Sequence, residues 1–150
     1  MTDTPGPLGE LTPELRRRLR ILGDLLPMLE APEFTAGQWH YSERRDDGVL
    51  TMPWYELGPS GHAFTRAVGE SGFMLIGFAW PDWISTPEAI ALRTDRDALA
   101  QATPDQLAKL ATMLIREDRF NEGALAHSFE TGLIAAIARR AKALAGQESG

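Results

Sequence analysis

The sequence predicts a mainly α fold, a compact single domain of about five to six helices with at most a short β-hairpin or extended segments in the 34–57 and 73–80 regions. Three observations carry this. Helix-start chemistry appears twice in strong form, as Thr12-Pro13-Glu14 and Thr103-Pro104-Asp105-Gln106, each a cap hydroxyl followed by a proline where no intrahelical donor is lost. Apolar residues then recur at helical spacing, as in Leu15, Leu19, Leu22 and Leu26. The aromatic and β-branched stretches are short and cut by proline or glycine, and Pro53 limits the second arm of any hairpin over 34–57 to an edge or an extended loop.

Composition sets the class. The chain has 150 residues, 43% hydrophobic and 24% charged, close to globular averages and outside the disordered, fibrous and membrane ranges. A chain of this length buries roughly two thirds of its unfolded surface around one core. No internal repeat or linker divides it, so residues 1–150 read as a single domain, ordered over about 11–145 with loose tails at 1–10 and 146–150. The chain has no cysteine, which excludes disulfides and thiolate sites and fits the cytoplasm. No apolar run approaches the roughly 20 residues of a membrane span, and the first residues lack the parts of a secretion signal. The net charge of −6 opposes nucleic-acid binding, which depends on Lys and Arg displacing counterions. The cluster Arg16-Arg17-Arg18 with Arg20 therefore reads as a solvated helix face.

Along the chain, Pro27 is expected to end or kink the first helix, with Met28 and Leu29 adding a turn. Asp47-Gly48 is a tight-turn signal, and the arms of a hairpin would be Trp39-His40-Tyr41 and Val49-Leu50-Thr51. A helix from Pro59 to Ser71 is closed by Gly72. Phe73 to Trp80, the most apolar window, reads as a buried strand or buried extended segment, and Pro81-Asp82-Trp83 opens another short helix. Thr103 to Gln106 has the capping-box form, and Leu107, Leu110, Ala111 and Leu114 give its helix an inward face. Asn121 is suited to start the next helix, whose stripe is Leu125, Phe129 and Leu133, followed by Ala136, Ile137 and Leu144.

The pattern breaks at the junction of these last helices. Extending the stripe Leu107, Ala111, Leu114 by one turn reaches Asp118, and stepping back from Phe129 and Leu125 reaches Glu122. Two acids thus interrupt two inward faces. A carboxylate out of water needs a partner, and the adjacent Arg116 and Arg119 offer forked guanidinium groups. The expectation is an ion-pair cluster of Arg116, Asp118, Arg119 and Glu122 that acts as a structural clasp between the helices. The alternative is that the same charges line a cleft.

Other candidates are weaker. His127 and Glu130 share a helix face at a spacing that suits a metal or an oriented imidazole, but a metal needs further ligands, so the expectation is a solvated pair and no metal. Trp80 and Trp83, with Phe78, have the shape of an aromatic wall for a ligand, although core packing explains them as well. The sequence has no nucleophile elbow, His-Glu-x-x-His pair, phosphate loop or dinucleotide fingerprint, and no cofactor is expected.

Three stretches resemble a bacterial family known as domain of unknown function 6508: Met52 to Leu57, Phe78 to Trp83, and Arg116-Glu117-Asp118-Arg119-Phe120-Asn121-Glu122-Gly123, the most specific. The resemblance runs from about Gly48 to Leu144. Family members usually read Phe-Asp-Trp where this chain has Phe78-Ala79-Trp80, which implies that any role of that acid is absent here or moved to Asp82. The resemblance brings no activity, substrate or cofactor. The functional expectation is a non-catalytic interaction or regulatory protein, with a protein partner or self-association. The alternative is a binder of anionic small molecules, or an enzyme, using Arg116, Asp118, Arg119 and Glu122.

Overall fold

A computed structural model of the chain describes residues 11–31, 37–40, 54–118 and 123–146. The fold is mainly helical, as expected, but divided into more and shorter helices than the five or six expected. In order these are α1 (Pro13–Gly23), α2 (Leu26–Leu29), α3 (Pro59–Glu70), α4 (Trp80–Trp83), α5 (Pro87–Thr94), α6 (Arg96–Ala100), α7 (Pro104–Asp118), α8 (Ala124–Glu130) and α9 (Leu133–Ala145). Proline stands at the start of α1 through α5 wherever the first turn needs a preset φ and has no donor to lose. That includes Pro27 in α2, the further turn expected to hold Met28 and Leu29, although the first helix breaks before Pro27, at Gly23.

The caps form as the sequence dictates. Thr12 Oγ1 accepts from Leu15 N–H at 3.1 Å. Thr103 and Gln106 close a reciprocal box, with Gln106 N–H donating to Thr103 Oγ1 at 3.2 Å and Thr103 N–H to Gln106 Oε1 at 2.9 Å. At the end of α3, Gly72 adopts φ +77°, and Phe73 N–H returns to Val68 C=O at 3.0 Å, so the chain turns out of the helix where glycine permits it.

Helix α7 is the central element. Its buried residues run Leu107, Ala108, Leu110 through Ile115, so it is covered on nearly every side. Helices α3, α4, α8 and α9 all pack against it. The largest helix pair is α1 on α9, whose C-terminal ends approach closely because Gly23 has no side chain: a Cβ there would lie 3.0 Å from Lys142 Cα. Leu15, Leu19 and Leu22 are almost completely buried, each worth about 1.5–3 kcal/mol relative to exposure. Phe64 of α3 meets Phe129 of α8 edge to face, with ring centroids 5.8 Å apart.

A two-stranded antiparallel sheet lies beside α3, formed by β1 (Gly37–His40) and β2 (Trp54–Leu57) in the register Gly37 to Leu57 and His40 to Trp54. The second arm is therefore beyond Pro53. The expected arm Val49-Leu50-Thr51, the Asp47-Gly48 turn and both tails except Gly146 lie outside the described residues.

The apolar window 73–80 forms no strand. Phe73 is fully buried, Met74, Leu75 and Phe78 only partly, and Ile76 is 96% exposed. Gly77 at φ +74° turns the chain back toward α4. The window is a loop whose two ends enter the core and whose tip stands in solvent.

Candidate functional site

The charged C-terminal turn of α7 acts on main chain. Thr112, fully buried in the α7 interior, donates through Oγ1 to Phe73 C=O at 2.9 Å and accepts from Leu75 N–H at 3.0 Å. One turn later Arg116 Nη2 donates to Leu75 C=O at 2.8 Å. Residues four apart share a helix face, so Thr112 and Arg116 together hold three polar groups of the 73–75 backbone, which has no sheet to satisfy them.

Two residues beyond Arg116, the half-buried Asp118 accepts through Oδ1 from Leu125 N–H at 3.1 Å. Helix α8 needs this bond. Its own N-cap is Gly123, at φ +91° and without a side chain to offer, so the carboxylate at the end of one helix caps the beginning of the next. The negative charge also faces the positive end of the α8 dipole. Among the described residues the partner of Asp118 is this main-chain amide rather than Arg116. Arg116 and Asp118 bond to different groups and form no ion pair with each other. Arg119, Glu122 and the expected helix start at Asn121 lie outside the described residues, and α8 begins at Ala124.

The remaining candidates separate. His127 and Glu130 are both exposed on α8, and among the described residues no group of three or more His, Asp or Glu side chains could hold a metal ion. Trp83 is 8% exposed and its Nε1 donates to Glu88 Oε1 at 2.8 Å. Phe78 packs on its ring with centroids 5.6 Å apart, and Trp80 is half-buried against the same core. Trp83 is thus a core residue with its polar edge satisfied. Glu88, which sequence reasoning missed, is also approached by Lys109 Nζ at 3.8 Å and Gln106 Nε2 at 3.5 Å. Asp82 is exposed in α4.

Arginine is used repeatedly in one way that sequence reasoning also missed. Arg18 Nε donates to Ser71 C=O at 2.6 Å, Arg93 Nη2 to Ile84 C=O at 2.8 Å and Arg96 Nη2 to Thr131 C=O at 3.1 Å. Those three carbonyls belong to the C-caps of α3, α4 and α8, where carbonyl groups have no intrahelical donor and a positive charge is favoured. Arg140 Nε does the same for Ala102 C=O, just past α6, at 2.8 Å.

The run Arg16 to Arg20 is accordingly not a uniform solvated face. Arg17 and Arg20 are exposed, and Arg17 holds the Glu14 carboxyl below its usual range through a hydrogen bond and charge. Arg18 turns inward, with its guanidinium 5.8 Å from the Phe73 ring centroid. Arg16 buries Nε and Nη2 with no hydrogen-bond partner among the described residues.

A groove of about 330 Å³ runs between α6 and α9, floored by Leu99, Ala136 and Ala143 and lined by Arg96, Arg139 and Arg140. A second hollow, of about 410 Å³, lies where α1 meets the end of α3, lined by Glu14, Arg17, Arg18 and Glu70.

Comparison with known families places the chain. Its residues 14–147 match a family described as a family of unknown function, DUF6508. The chain belongs to that family. The match begins within α1, well before Gly48, so the DUF6508 region takes in the α1–α9 pair as well as the α7–α8 junction. No curated protein and no solved structure matches the chain.

Proposed function

We propose that this DUF6508 protein works by binding, as a non-catalytic interaction or regulatory domain in the cytoplasm, and that the α7–α8 junction is a structural clasp. One observation carries the reading: the most distinctive polar residues available, Arg116 and Asp118, are each bonded to main chain, and what they hold in place includes a loop presenting Ile76 to solvent. An acid–base pair needs a proton acceptor free to meet a substrate. The Asp118 oxygen that caps α8 is engaged in the fold. A large apolar side chain on a loop anchored at its base suits contact with a partner or a second copy of the chain.

The test is thermal unfolding of the wild type, Arg116→Gln and Asp118→Asn, alone and with phosphate, nucleotides or carboxylates. The clasp reading expects Arg116→Gln to lower Tm and both variants to keep whatever anion stabilisation the wild type shows. A variant with wild-type Tm that loses an anion response would make the junction a ligand site instead.

A further inference from the structure

We propose that the groove between α6 and α9 binds a small organic anion, a carboxylate or phosphate head on a short apolar body. This goes beyond the interaction-domain reading and concerns a different part of the molecule. The groove is lined by Arg96, Arg139 and Arg140, with no acid among its described lining residues. In a chain of net charge −6, three such cations on one small surface run against the average and give it a local positive charge.

Two of the three are prepositioned. Arg140 is fixed through Nε to Ala102 C=O at 2.8 Å, and Arg96 through Nη1 to Arg93 C=O and Nη2 to Thr131 C=O, both at 3.1 Å. Cations already held by backbone lose little freedom when an anion arrives. Burial pushes the Arg140 guanidinium below its ordinary value, a sign that it is partly out of water, where attraction to an anion is stronger. Arg139 is exposed and makes no hydrogen bond to the described residues, so its fork can close on a ligand from the rim.

The floor sets the rest of the ligand. Ala136 and Ala143, over the buried Leu99, offer apolar surface and no polar group beyond the backbone, and the volume of about 330 Å³ lies at the low end for small-molecule sites. A bare inorganic anion would leave this floor wet, and a neutral apolar molecule would leave the arginines unused.

The experiment is amide chemical-shift titration of the full chain with hexanoate, hexyl phosphate, inorganic phosphate and hexanol. Hexanoate or hexyl phosphate is expected to shift amides of α6 and the 132–143 stretch of α9, and to bind at least about tenfold more tightly than inorganic phosphate or hexanol. The stronger of the two identifies the head group. Arg139→Glu, a change at an exposed site, should weaken that binding by about tenfold or more with the spectrum otherwise retained. Arg140→Gln should weaken it too, but the Arg139 variant decides the matter if Arg140→Gln fails to fold. Asp118→Asn should leave it unchanged, which separates this groove from the junction. No shift in α6 and α9 at about 10 mM of either amphiphile, equal binding of inorganic phosphate, or indifference to Arg139→Glu would each overturn the proposal.

Discussion

The carboxylate of Asp118, in the last turn of α7, caps α8 by accepting from the amide of Leu125 at 3.1 Å. Gly123 at the N-cap cannot do so. Asp118→Ala should therefore cost about 1 kcal/mol, the usual worth of an N-cap oxygen, whereas Asp118→Asn should cost less than half of that because an amide oxygen caps equally well. Urea unfolding of the two variants checks the ratio. Equal losses would mean that the charge, and not the hydrogen bond, matters at this position.

Thr112 is expected to be the more sensitive residue. Its hydroxyl serves both Phe73 C=O and Leu75 N–H inside the core. Thr112→Val keeps the shape but leaves two main-chain groups without a partner, at a cost of about 1–3 kcal/mol for each group left unsatisfied. Thr112→Ser keeps the hydroxyl and should lose much less. Chemical denaturation compares the pair, and hydrogen exchange at Leu75 should accelerate in the valine variant alone.

Gly72 tests the packing of Arg18. Its φ of +77° is costly for any residue with a side chain, and a Cβ would lie 3.1 Å from Arg18 Cζ and nearer still to Nη2. Gly72→Ala should lose about 1–2 kcal/mol from the backbone alone, and more if Arg18 must release Ser71 C=O. In an Arg18→Met background the extra loss should disappear, a coupling that a double-mutant cycle measures.

Arg16 points the other way. Its Nε and Nη2 are buried without hydrogen-bond partners among the described residues, so the side chain gives up hydration at those atoms with no bond from those residues in return. Arg16→Met keeps the apolar stem and should raise stability by about 1 kcal/mol, visible as a higher Tm. A fall in Tm would show that the guanidinium has a role in the folded state after all.

The features that sequence reading captured are those fixed by neighbours in the chain. The cap of Thr12 on Leu15 and the reciprocal box of Thr103 and Gln106 span three residues, and the Gly72 turn follows from one backbone conformation. That Asp118 falls in the last turn of α7 was legible for the same reason, since helical period alone sets it. Its bond to Leu125 N–H was not, because side-chain chemistry pointed to a nearby arginine and the amide lies seven positions on, in the next helix. The hold of Thr112 and Arg116 on residues 73–75 spans 37 to 41 positions, and no local pattern encodes it. For 73–80, high hydrophobicity indicated burial, but Gly77 and the side-chain anchors let the backbone turn outward at Ile76 without a sheet.

The arginines that cap distant carbonyls also bear on how the chain reaches this state. The bonds from Arg18, Arg116, Arg140 and Arg96 join residues 53, 41, 38 and 35 positions apart, so each closes a long loop that must already be nearly shut before the guanidinium can reach its acceptor. Contacts of this kind form late. Removing one should leave the refolding rate close to wild type and appear in the unfolding arm of a chevron plot. These arginines act less as guides to the fold than as latches on it, and they set how long a folded molecule lasts before it opens.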